Sequence, residues 1–106
     1  MPASVEYTCL ENSPISLACG YNLESNPPAI ISWSDPQGRL VENNDFYTID
    51  NGPKEVQLNI FNAKRENNGT WKCSLTTKFS NATNGTLELY VPLIVIGKLF
   101  FLLLLL

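Results

Sequence analysis

Histidine does not occur anywhere in the 106 residues, which removes the side chain most used for proton transfer near neutral pH and the commonest metal ligand. The cysteines number three, form no C-x-x-C pair and fall short of the four ligands of a structural zinc site. Positive charge is scarce as well. Lys and Arg number 7 against 10 Asp and Glu, for a net charge of -3, and they are scattered rather than gathered into a stripe, so no nucleic-acid partner is expected. No nucleophile stands beside a base in any motif, which leaves an enzyme without its parts. The chain therefore reads as non-catalytic, with no cofactor and no metal. The opening MPASVEYTCLENS lacks the apolar stretch of a secretion signal and reads as an incomplete front end.

What the chain does contain is apolar alternation with a period of two, from Ser4 to Val91, interrupted by turn residues roughly every 8 to 12 positions. Ile15, Leu17, Cys19 and Tyr21 share one face of a first strand, and Ala29, Ile31 and Trp33 one face of a second. Val56, Leu58 and Ile60 do the same, as do Trp71, Cys73 and Leu75, and then Leu87, Leu89 and Val91. These five sets are the expected core. Between them SNPPA, DPQG, DNGPK and SNATNG are rich in turn formers, and DPQG reads as a tight hairpin turn. The length suits a single domain.

After Val91 the composition changes to PLIVIGKLFFLLLLL. The run from Leu93 to Leu106 falls short of the roughly 20 apolar residues that cross a bilayer, and it contains Lys98. Three explanations stand: a membrane helix cut short, a cleaved lipid-anchor signal, or an artefact of the terminus. A lipid-anchor signal needs a polar spacer that this run lacks, so the shortened membrane helix is preferred. The expected division is a domain over residues 1–92 and an apolar, helical membrane segment over residues 93–106.

Cys19 and Cys73 each fall on the inward phase of a strand, with Trp33 between them. A bond between the two would close a long loop and stabilise the domain by roughly 4 kcal/mol in the chain-entropy model. Such bonds persist in oxidising compartments. Sequons at Asn68, Asn81 and Asn84, all in expected loops, point the same way as glycosylation sites.

From Ser4 to Val91 the chain resembles the immunoglobulin superfamily. The residues that carry the likeness are Cys19, Trp33, Cys73 and the run NNGTWKC, which is similar to the D-x-G-x-Y-x-C signature at the start of strand F. The resemblance implies an all-β, immunoglobulin-like sandwich of two antiparallel sheets, with Cys19 on strand B bonded to Cys73 on strand F. Trp33, Trp71, Leu58 and Leu17 would form its core, and Gly69 would permit the tight entry into strand F. The interval from Trp33 to Cys73 is too short for a variable-type C″ strand, which leaves a C2-type or intermediate domain. Two departures stand out. Asn67 replaces the usual Asp and Trp71 the usual Tyr, so the corner before strand F should be altered and the buried salt bridge of variable-type domains absent.

The family resemblance further implies protein recognition at a cell surface, with the domain outside the plasma membrane. The B–C loop (Asn22 to Pro28) and the F–G loop (Lys78 to Asn84) would point away from the membrane, where sugars on Asn81 and Asn84 would obstruct a loop-based site. The expected ligand face is therefore the flat outer side of strands G, F and C, carrying Ile30, Ser32, Lys72, Ser74, Thr76, Glu88 and Tyr90. The plain alternative is that these are ordinary solvent-facing residues. Cys9 is either a small buried hydrophobe or the source of an intermolecular disulfide. Lys98 either snorkels to the headgroups or pairs with an acidic residue of a signalling adaptor. Against the receptor or adhesion reading stand an accessory subunit of a receptor complex and a secreted decoy.

Overall fold

The computed structural model describes residues 6–20, 30–52, 55–78, 84–97, 103 and 105, and only the backbone of residues 30, 77, 78 and 84–87. Seven strands make two sheets that face each other. These are β1 (Tyr7–Leu10), β2 (Ile15–Gly20), β3 (Ile30–Ser34), β4 (Tyr47–Asn51), β5 (Glu55–Ile60), β6 (Gly69–Lys78) and β7 (Asn84–Ile96). One sheet has the order β1-β7-β6-β3 and the other β2-β5-β4. All neighbours are antiparallel except β1 and β7, the two ends of the described sandwich, which run parallel with Tyr7 opposite Leu93 and Leu10 opposite Ile96. The end at which β7 leaves the sandwich is called the lower end below.

Alternation places the core where the pattern of the chain expects it. Leu17, Cys19, Trp33, Val56, Leu58, Ile60, Trp71, Cys73, Leu75 and Val91 are buried, and Ile15, Ile31 and Leu89 pack against them. Tyr21 and Ala29 lie outside the described residues, as does the side chain of Leu87. The expected disulfide joins Cys19 on β2 to Cys73 on β6, with Cα atoms 6.4 Å apart. Cys73 stands directly opposite Trp33 in the β3–β6 register, so covalent tie and indole occupy one layer.

The core also draws on residues the five sets omit. Tyr7, Cys9, Tyr47, Ile49 and Val95 pack against it, while Val41, Ala63 and Leu93 are buried within it. Tyr7 accepts a hydrogen bond at its hydroxyl from Ala18 N, at 3.2 Å. Strand β1 is thereby tied to the opposite sheet as well as to β7.

The DPQG turn is present. Gly38 N donates to Asp35 O at 2.9 Å, Gly38 takes φ +84°, and the Asp35 carboxylate accepts from Gln37 N, Arg39 N and Arg39 Nε. The returning chain pairs with β3 at the Ser34–Leu40 bridge, where Val41 N donates to Trp33 O at 2.9 Å. The next strand, β4, joins β5 in the other sheet. Among the described residues no further strand lies beside β3, in keeping with the short interval from Trp33 to Cys73.

The boundary expected at residue 92 falls inside β7. Leu93 is 1% exposed and β1 pairs with residues 93–96, so the first part of the apolar run is strand rather than helix. Pro92 disguises this. Its missing N–H normally stops a ladder, but Pro92 lies one position before β1 begins to pair at Leu93. Lys98, outside the described residues, follows the last strand residue by two positions in the sequence. Leu103 and Leu105 are helical, and among the described residues no helix is long and apolar enough to cross a membrane.

Candidate functional site

Outward side chains on the four-stranded sheet follow directly from the register. Ser32 faces across to Ser74, Ser74 to Glu88, and Lys72 to Tyr90. The small serines keep this part of the face flat. Tyr90, 55% exposed, rises from it. Its hydroxyl donates to Glu88 Oε2 at 2.9 Å, and Lys72 Nζ lies 3.8 Å from Glu88 Oε1. The hydrogen bond to Glu88 and that carboxylate's negative charge both hold the Tyr90 phenol above its ordinary pKa. Such an exposed pair adds little to stability, but it orients the ring.

Of the seven expected face residues, Ser32, Lys72, Ser74, Thr76, Glu88 and Tyr90 are brought onto one surface. Ile30 is opposite Thr76 in the register, while its side chain is outside the description. Further members of the surface escape a reading that stops β7 at Val91. Pro92 faces Thr70, and Ile94, 39% exposed, faces Thr8. The alternation of Tyr90, Pro92 and Ile94 was visible, but the proline interrupted it as a strand signal.

The corner below β6 is altered as the two departures suggest, yet it is fully bonded. Trp71 Nε1 donates to Asn67 O at 2.9 Å inside the core, so the indole does reach back to the backbone, four residues upstream. Asn67 is buried in a 3₁₀ turn over Arg65–Asn67. Its Oδ1 accepts from Lys64 N at 2.7 Å and its Nδ2 donates to Tyr47 OH at 3.2 Å. Tyr47 meets Trp71 edge-on with centroids 5.9 Å apart. Gly69 takes φ +138°, and a Cβ there would come within 2.8 Å of Pro36 Cβ, which accounts for glycine at this entry.

The sequon residues fare differently. Asn68 is exposed, and its side-chain Oδ1 accepts from Val95 N at 2.8 Å beyond the last backbone rung of β6 and β7 at Gly69 and Leu93. Asn84, expected in a loop, is the first residue of β7, opposite Lys78, because the alternation that starts at Leu87 continues back through Thr86. Asn81, Lys98 and the interiors of the B–C and F–G loops lie outside the described residues. Cys9 is a free, half-buried thiol on β1, and burial raises its pKa.

Comparisons with known proteins agree with this architecture. The immunoglobulin domain family model matches residues 5–86. The mouse (Mus musculus) transmembrane and immunoglobulin domain-containing protein 1 is 33% identical over 76 residues, which is 72% of this chain and 28% of the relative. This chain therefore spans about 28% of that relative's length. Among solved structures, a tandem of titin immunoglobulin domains aligns with 92% of this chain and 46% of its own at a TM-score of 0.71 and 21% identity. The twitchin kinase region from C. elegans aligns with 87% of this chain and 15% of its own at a TM-score of 0.69 and 22% identity. Those two likenesses concern the fold. With the signature residues placed as described and the family model covering most of the sequence, the chain belongs to the immunoglobulin domain family.

Proposed function

We propose that this chain is a non-catalytic recognition module held at the plasma membrane, with its immunoglobulin domain outside the cell and a protein ligand bound on the outer face of the β1-β7-β6-β3 sheet. The exposed Tyr90, oriented by Glu88 on an otherwise flat face, carries the ligand-face reading, because a rigid amphipathic ring among small side chains suits an interface anchor. Membrane attachment is supported by the apolar residues that follow β7 and by the word "transmembrane" in the name of the mouse relative. Sugars on Asn68, Asn81 and Asn84 suit the same compartment as the disulfide.

The end of β7 at Ile96 favours one reading of Lys98 over the other. An ammonium two residues past a sheet belongs at headgroup level, where snorkelling is easy, rather than at the depth needed for pairing inside a bilayer. The face is tested by displaying the full chain on cells and measuring adhesion to a panel of cell types. Tyr90→Ala and Ser74→Arg should each abolish whatever adhesion the unaltered chain supports. Adhesion that both variants retain in full would discard the face.

A further inference from the structure

We infer that the lower end of the sandwich is shaped to rest on the headgroup layer of a zwitterionic phospholipid bilayer. The inference deepens the proposed membrane attachment and rests on it.

At the lower end, where the connecting loops are described, large apolar side chains stand exposed. Among the described residues of the sandwich, leaving aside Leu103 and Leu105 beyond it, they are Leu40 (63% exposed), Phe46 (67%), Phe61 (48%), Tyr90 and Ile94. All five lie in the lower half. Leu40 bridges to Ser34 at the bottom of β3, and Tyr90 and Ile94 lie on the lower rungs of β7. Phe46 and Phe61 sit together just beyond the Tyr47–Ile60 rung, with Phe61 N donating to Phe46 O at 3.1 Å. The rest of the described outer surface, higher up, presents Ser32, Ser74, Glu88, Gln57, Asn51 and Glu55 instead. Because Phe46 and Phe61 flank the β4–β5 sheet and Ile94 is on the opposite one, the apolar groups border the lower end on both sides.

The exit of the chain is a separate observation. A Cβ on Gly97 would lie 3.6 Å from Arg65 Nη2 and 3.7 Å from Glu11 Oε1, so β7 delivers the chain beside the Arg65–Glu11 ion pair. The three residues from Ile96 to Leu99 can span at most ~10 Å, and one headgroup layer is about 5 to 8 Å thick. In the sequence only Gly97 and Lys98 lie between the end of β7 and the apolar residues that begin at Leu99. Among the described residues charge at this end is net negative, with Arg39, Lys64 and Arg65 against Glu11, Asp35, Glu42, Asp45 and Glu66, so the contact favours zwitterionic lipid and aromatic insertion over attraction to anionic lipid.

The test uses the full chain reconstituted into phosphatidylcholine vesicles that contain a lipid spin-labelled at its headgroup. Tryptophan reporters at Phe61→Trp and Phe46→Trp probe the lower end, and Asn51→Trp probes the upper end. Trp33 and Trp71 are fully buried and contribute one background to all three. The expected result is flotation with the vesicles and several-fold stronger quenching at positions 61 and 46 than at 51, with no strengthening when phosphatidylserine replaces part of the lipid. Flotation with equal quenching at both ends would overturn the inference and leave membrane attachment standing. A chain that fails to float would overturn both.

Discussion

The middle of the sandwich and its lower end are held together by different physics. Across the middle, Cys19, Trp33, Leu17, Leu58 and Cys73 meet as an apolar layer with one covalent tie, and Trp33 Nε1 finds no partner among the described residues. At the lower end the second tryptophan is bonded to a carbonyl and belongs to a polar mesh. Asn67 joins Lys64, Tyr47 and Trp71, Asn68 joins Val95, and Ala63 exchanges backbone hydrogen bonds with Asn12 and Ser13. The middle needs bulk in the right phase. The lower end needs particular donors and acceptors, because there the chain crosses between sheets and leaves backbone groups without ladder partners.

Removing the covalent tie should have the largest effect. Cys19→Ala with Cys73→Ala is expected to lower stability by about 2 to 5 kcal/mol, read from denaturant midpoints, while the lower corner keeps its bonds. A loss near zero would mean that apolar packing alone secures the middle layer.

The tryptophans give a sharper test. Trp71→Phe and Trp33→Phe remove similar volume from fully buried sites, so their cavity costs should be comparable. Only Trp71→Phe also strips a donor from a buried carbonyl, at about 1 to 2 kcal/mol more. Trp71→Phe is therefore expected to be the worse variant by that margin in chemical denaturation. Equal losses would show that the bond to Asn67 O contributes nothing beyond packing, and the contrast between the two regions would disappear.

That contrast also explains how much could be read from the chain beforehand. Leu17, Leu58, Trp33, Trp71 and the Cys19–Cys73 pair were legible because burial follows a period of two and the motif residues recur at fixed phases. The two-sheet sandwich followed from them and from the family resemblance they carry. The lower end was not legible in the same way. Strand β1 is short, and its value comes from parallel pairing with β7, a contact between distant parts of the chain that no local pattern encodes. Strand β7 hid its last four residues behind Pro92 and inside an apolar run that looked like membrane. The outer face of the four-stranded sheet was legible as alternation, whereas the Tyr90–Glu88–Lys72 arrangement needed the register. Phe46 and Phe61 gave no periodic signal, since each lies just outside a strand.

The next effect concerns the entry into β6. Gly69→Ala forces a side chain into positive φ and against the Pro36 ring, so a loss of about 1 to 3 kcal/mol is expected. Pro36→Ala in the same background removes the ring atom the new Cβ approaches most closely beyond Cβ itself, Pro36 Cγ at 3.0 Å. It should recover part of the loss in thermal unfolding. If it recovers nothing, the ring beyond Cβ plays no part, and backbone strain with the remaining Pro36 Cβ contact is responsible.

The smallest expected effect is a pH dependence at Cys9, where the lower end meets β1. Burial raises this thiol's pKa, so the folded chain holds its proton to higher pH than the unfolded chain does. The resulting contribution to stability is complete below the unfolded thiol's pKa and is lost as pH rises through the folded value. Compared with Cys9→Ala, the unaltered chain should keep a constant difference in Tm through neutral pH, and that difference should move against the unaltered chain under alkaline conditions. Subtracting the variant cancels the tyrosines, including Tyr90, which ionise in the same range. A difference that stays flat into the alkaline range would mean that β1 leaves the thiol as well hydrated as it is in the unfolded chain, and that this edge of the lower end is looser than the Cys9–Val95 register implies.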